Sequence, residues 1–329
     1  STVVVDAYRR HGYRHRYEEL EDTGHNAWDP GYAEGRVFRL NRRYKTPRDP
    51  ATIRFASGSY HHREAYWARI DQFEAHDRLG RIKARRRDGH TRVTTENLRR
   101  MTLDVTGQLT VDGQALGTAA GSVSLVRNSG QWAHATGAVP TGEKRPGVSG
   151  PIDDIRYGPH IFVYGTADPS QTETNRRRAE HAARYWWNDA EIHMPVIADS
   201  DLSVGDLHAK DLVLFGNPAS NRVLARMADR LPARWDSGGI EFGGRRFEGA
   251  SVGISFIYPN PLTDGQTNVV VHAGVTARGT WLSAWMPRWL PDFVVYDEGV
   301  SAQRGGRLMD RRRPLAGGNF DRLWKTPAL

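Results

Sequence analysis

The sequence predicts a multidomain chain of α/β and β parts. These are a helix–strand–helix segment (residues 1–47), a β-sandwich (48–145) and an α/β domain with a mostly parallel sheet (146–329). Three observations carry this. TPRDP (46–50) and VPTGEKRPGVSGP (139–151) are rich in proline or glycine and read as linkers. Between them, short alternating runs recur at nearly even spacing, the pattern of an all-β sandwich. Beyond them, continuous apolar runs alternate with amphipathic ones, which implies parallel strands joined by helices.

Taken in order, Ser1 to His11 reads as a helix with Val4, Tyr8 and His11 on one stripe and Gly12 as its left-handed cap. YRHRYEELE (13–21) alternates like a strand with Tyr13 and Tyr17 on one face. DTGH turns, and PGYAEGRVFRLNRRYK reads as a further helix. In the middle segment the strands are ATIRFAS, AYWARIDQF, GRIKARRR, HTRVTTENL, MTLDVT, LTVDGQAL and GSVSLVRN, with turns at RDGH and VDGQ. The last segment opens with a buried strand HIFVYG, a helix TETNRRRAEHAARYWW, a strand DLVLFG and a helix NPASNRVLARMADRLP. GGIEFGGRRF, GISFIYPNP, TNVVVHAG and PDFVVYD read as further strands. TWLSAWMPRWL reads as a packed helix that Pro287 kinks or ends.

With 329 residues, 38% of them hydrophobic and ten of them Trp, the chain has the material for a real core. No run approaches eighteen consecutive apolar residues, so no membrane-spanning helix is expected. The formal net charge is +8. The basic residues are overwhelmingly arginine with acids interspersed, and tight clusters occur at Arg85–Arg87, Arg176–Arg178 and Arg311–Arg313. No stacking-aromatic or helix-turn-helix signature accompanies them, so nucleic acid is not the expected partner. The absence of cysteine excludes disulfides, thiol nucleophiles and Cys-type zinc sites, and leaves the compartment open. The chain does not begin with Met, and its first residues carry charge too early for a secretory signal. A processed or trimmed product, or a fragment, is expected.

The first candidate for chemistry is His25. It follows a strand pattern and sits behind Gly24, which permits a sharp turn; such a position suits a general base. Residues 1 to about 44 resemble the end of an α/β-hydrolase domain of the prolyl-oligopeptidase and esterase type. The strand is RHRYEELE, the turn Gly24-His25, the following aromatic Trp28, and the closing helix ends near Tyr44. AYWARID, GPIDDIRYGPHIFVYGT, LVLFGNPASN and IYPNP resemble the long carboxy-terminal extension of some bacterial members. The resemblance implies that His25 is the triad base of a serine hydrolase cleaving ester or peptide bonds through an acyl-enzyme. Triad order in this fold is Ser, then Asp or Glu, then His. The nucleophile and acid are therefore expected from an upstream segment or a second chain, and this chain alone is expected to be inactive.

Other residues compete for a role. GASVG (249–253) matches G-x-S-x-G around Ser251, but a strand pattern rather than a helix follows it, which favours a turn. Ser1 as an amino-terminal nucleophile requires a strand where a helix is expected. His61 and His62 point to opposite faces of a strand, and with Glu64, His76 and Asp77 they read as polar surface groups rather than ligands; no metal or cofactor is expected. The Asp153-Asp154 pair reads either as a carboxylate dyad or as a turn cap. Thr166, Asn217, Asn221 and Asn260 follow strands, where ligands of open α/β sheets gather; the same residues also suit helix caps. The alternative function is a non-catalytic binding or assembly module for carbohydrate or a protein partner, with Trp67 or Trp132 as a stacking platform.

Overall fold

The chain divides after Pro50 into two units, Ser1–Pro50 and Ala51–Leu329. A computed structural model describes residues 2–20, 23–25, 27–286, 290–301 and 313–329. It is a mixed α/β chain of several sheets and few helices. The boundary expected near 145–146 falls inside the second unit.

In the first unit, α1 (Thr2–Arg10) ends at Gly12 with φ +69°. The Gly12 N–H donates to Arg9 O (3.1 Å) and the Tyr13 N–H to Tyr8 O (2.9 Å), the paired bonds of a Schellman cap. Residues 13–20, which alternate like a strand, join no ladder. An extended run is held by a neighbour's backbone, and the described residues of this unit offer none. The helix expected to Tyr44 is broken into α2 (Trp28–Tyr32) and α3 (Arg36–Asn41). Positive φ at Glu34 and Gly35 takes the chain off the helical path between them.

The second unit begins with β1 (Thr52–Ser57), β2 (Glu64–Ala65), β3 (Ala68–Phe73), β4 (Gly80–Arg87), β5 (His90–Glu96), β6 (Leu98–Val111), β7 (Gln114–Asn128) and β8 (Gln131–His134). A sandwich has two facing sheets; here the ladders join all eight strands into one. The long strand β6 makes this possible. Its first half pairs antiparallel with β3, its last residues pair parallel with β5, and β7 runs along its other edge. The corner is Gly107, at φ +94°, where an added Cβ would lie 2.0 Å from Gly89 O. Only glycine fits there. Trp67 and Trp132 are 5% and 2% exposed and belong to the core inside this bend, so neither forms a stacking platform.

The rest of the unit is built on β9 (His160–Tyr164), β10 (Val196–Ala198), β11 (Asp211–Phe215), β12 (Ala233–Trp235), β13 (Gly239–Phe242), β14 (Arg245–Glu248), β15 (Gly253–Pro259), β16 (Asn268–Gly274), β17 (Phe293–Tyr296) and β18 (Ala316–Gly318). The seven-stranded sheet has the order β10-β9-β11-β16-β15-β17-β18. Its first four strands are parallel and the remaining ladders antiparallel, an even mixture rather than a mostly parallel sheet. The helix α4 (Pro169–Ala190) covers one face, through Ala179 against Phe162, Val213 and Phe215. The short helices α5 (Val204–Ala209) and α6 (Arg222–Ala225) and the β12–β14 sheet contribute to the larger core on the other face. The helix expected from Thr280 is α7 (Ala277–Leu282) followed by a single 3-10 turn; Pro287 lies outside the described residues.

Candidate functional site

His25 is exposed at a bend after Gly24, with its ring edge-on to Trp28 at 6.3 Å. Among the described residues no hydroxyl or carboxylate is hydrogen-bonded to it. Ser251 lies in a turn before β15, and the chain continues as strand rather than as the helix a nucleophile elbow needs. Ser1 lies outside the described residues.

The carboxyl edge of the parallel strands has a topological switch point. From β9 the chain goes first to β10 on one side and then to β11 on the other, so the crevice falls between β9 and β11. Thr166 lies beyond β9, and Asn217 and Asn221 beyond β11. The Thr166 N–H and hydroxyl both donate to Asp199 Oδ1, at 3.1 and 2.5 Å. Asp199 Oδ2 accepts the Arg222 N–H at 2.6 Å and caps α6. Asn217 Nδ2 donates to Gly274 O and Val275 O at 3.1 Å each. Asn221 Nδ2 donates to Phe215 O (3.1 Å), while its Oδ1 accepts the Val223 and Leu224 N–H groups at 3.0 Å.

These amides are therefore spent on strand ends and a helix start. The loops also lie directly on one another: a Cβ on Gly165 would sit 2.3 Å from Ser220 O, and one on Gly216 2.6 Å from Asn175 Nδ2. The crevice is filled by the protein's own polar groups. Asn260 does not join the other three. β15 runs antiparallel to β16, with Pro259 opposite Asn268, so Asn260 lies at the opposite edge of the sheet. There its Oδ1 caps the Pro261–Thr263 turn through the Leu262 N–H at 3.0 Å.

His61 and His62 lie in a 3-10 turn (Tyr60–His62) rather than a strand. His61 stacks on Tyr157 with ring centres 4.0 Å apart, and its Nε2 is 3.6 Å from Asp154 Oδ1. Among the described residues no group of three or more His, Asp or Glu is arranged to hold a metal ion. Asp153 and Asp154 begin the Ile152–Tyr157 turn, where Asp154 Oδ2 accepts the Ser149 hydroxyl at 2.8 Å.

Four cationic side chains stand together on one sheet face, in a groove that Asp88 also lines. Arg54 stands directly opposite Lys83, and Arg85 opposite Arg92, all four exposed on the outer face of β1, β4 and β5. Like charges in register destabilise a sheet unless something anionic covers them. Arg81, one step further along, is neutralised by Glu96 at 2.9 Å; no carboxylate among the described residues pairs with the other four. They line a groove of about 600 Å³.

Two polar residues inside apolar strands escaped the sequence reading. Ser255 of GISFIYP and His272 of NVVVHAG face each other in register, Oγ to Nδ1 2.7 Å. Their isolation within otherwise apolar runs was the available signal, but their pairing depends on register. The sequence matches no protein-family model and no curated protein.

Proposed function

We propose that this chain supplies the catalytic histidine of a serine hydrolase with an α/β-hydrolase fold, and that residues 1–47 are the closing helix–strand–helix of its catalytic domain. One observation carries the reading: among the described residues of the segment, many large apolar side chains are exposed. Val3, Val4, Tyr13, Trp28, Phe38 and Tyr44 are all more than half exposed, and Val5 is the buried residue of α1. Apolar surface at that density belongs against an interior. The run 13–20 likewise has the alternation of a strand and joins no ladder among the described residues. An upstream segment or a second chain with the remaining core strands would supply both a cover and a ladder, together with the nucleophilic Ser and the orienting Asp.

In that assembly the imidazole of His25 takes the proton from the serine hydroxyl as it attacks the carbonyl of a small ester or a peptide. It then returns the proton to the leaving group, and water repeats the cycle on the acyl-enzyme. The chain by itself is expected to leave 4-nitrophenyl acetate unhydrolysed. Coexpressed with the encoded segment upstream of Ser1, it is expected to turn over, and His25→Ala is expected to lower kcat by about 10³-fold or more. Turnover by the chain alone that survives His25→Ala overturns the reading.

A second reading, a non-catalytic binding or assembly module, draws on the cationic face. Arg54, Lys83, Arg85 and Arg92 suit an acidic segment of a protein partner. Binding to polyglutamate at low salt is expected to fall at least tenfold in Arg85→Glu/Arg92→Glu. Unchanged binding removes this reading and leaves the hydrolase proposal untouched.

A further inference from the structure

We infer that the cavity between α4, the sheet and the turn after α7 is a binding site for a small organic carboxylate. It encloses about 230 Å³, less than the 300–1,000 Å³ typical of drug-sized ligands. Its walls are mixed: Phe162, Val213, Val270 and Leu290 line it together with Arg178, His272, His160 and His181.

Arg178 is the decisive residue. It lies in α4 and is 7% exposed. Its Nε donates to Ser283 Oγ at 2.7 Å, and its guanidinium carbon sits 5.2 Å from the centre of the Phe215 ring. Among the described residues no carboxylate pairs with it. A buried cation is normally matched by a buried anion, because desolvating an uncompensated charge is costly. The same protein obeys that rule at Lys144, which is fully buried against Asp292. At Arg178 no anion among the described residues matches the charge, and the guanidinium lines an open volume.

The surroundings select the chemistry of that anion. A guanidinium presents parallel N–H donors that fit a carboxylate in bidentate fashion. His272 stacks on Phe215 with ring centres 5.2 Å apart, and burial and the Arg178 charge hold its pKa well below the ordinary value. It adds no second positive charge. Ser255 Oγ lies 2.7 Å from its Nδ1, and the neutral ring adds a polar group beside the guanidinium. Asp153 and Arg156, one acid and one base, also line the wall and offset each other in charge. Burial lowers the pKa of His160 and His181 as well, so one net positive charge beside apolar side chains suits a monoanion with an apolar body better than a phosphate dianion. This inference does not depend on the hydrolase reading.

The test uses the full chain and calorimetric titration with benzoate, its neutral isostere benzamide, and inorganic phosphate. Benzoate is expected to bind, benzamide and phosphate to bind at least tenfold more weakly, and Arg178→Met to lose benzoate binding by tenfold or more. A second measurement guards against a merely structural role. Without ligand, Arg178→Met is expected to melt no lower than the parent, since it removes an uncompensated buried charge. Failure of benzoate to bind, equal binding to the variant, tighter binding of phosphate, or a lowered melting temperature of the unliganded variant each overturn the assignment.

Discussion

Replacing Lys144 with methionine is expected to destabilise the second unit by about 3–5 kcal/mol, the usual cost of stranding one partner of a buried ion pair. Lys144 is 0% exposed and Asp292 1%. The ammonium donates to Asp292 Oδ2 and to Phe320 O, the latter at 2.9 Å. The same carboxylate oxygen accepts the Phe320 N–H at 2.9 Å. Burial pushes the Lys144 pKa down and the Asp292 pKa up, and each is opposed by the charge of the other. The pair thus ties the 139–151 stretch to the residue before β17 and to the chain after β18. Nor can another side chain intrude: a Cβ on Gly150 would lie 1.8 Å from Asp292 Oδ1. Urea unfolding of Lys144→Met and of Lys144→Met/Asp292→Leu distinguishes the cause. The double variant is expected to recover most of the loss, since replacing a whole buried pair by apolar groups is often near neutral. A single variant within about 1 kcal/mol of the parent would sink the argument.

The second large effect concerns Asp154. Its side chain is 12% exposed, and burial, aided by the charges of Asp292 and Asp153, raises its pKa from 3.8 to about 7. The Ser149 hydroxyl and the Lys144 charge act in the opposite direction, and His61 lies 3.6 Å away. Because the folded pKa is above the unfolded one, the folded protein holds this proton more tightly. Its contribution is fully present below about pH 4, where both states are protonated. It is lost as the pH rises to 7, because the unfolded chain ionises first, and it levels off above that. The total is on the order of 4 kcal/mol. Asp154→Asn keeps an acceptor for Ser149 and cannot ionise. It is therefore expected to be more stable than the parent at pH 8, with the advantage shrinking towards zero near pH 4. Unfolding midpoints of both proteins at pH 4, 6 and 8 check this, and a difference that does not vary with pH would refute it.

Much of the local structure was legible because it depends on neighbours in sequence. Gly12 ends α1 as its position suggests, since only the left-handed region closes that cap and glycine enters it freely. HIFVY and DLVLF read as buried strands from their continuous apolar runs, and they are neighbours inside the sheet. The run 13–20 shows the limit of that reading, because alternation states what a strand would bury and not whether a partner strand is there. The sheet edge shows another limit. Polar residues after β9 and β11 are visible in the sequence, but Asn217 and Asn221 can aim at a ligand or at the carbonyls of their own strands. Only the approach of the 165–167 and 216–221 loops decides between them.

What the sequence determined by itself is where apolar runs lie and where glycine and proline interrupt them. What the tertiary structure decided is which polar residues are removed from water. Lys144 stands in a Gly/Pro-rich stretch that reads as a solvated linker, and it is fully buried. Arg176 and Arg178 belong to one basic cluster; the first pairs with Glu173 and Glu180 at the surface, and the second lines a cavity. Two residues along a helix turn a side chain by about 200°, from solvent to interior. Whether that interior already holds an anion depends on chain segments about a hundred residues apart, which no local pattern encodes.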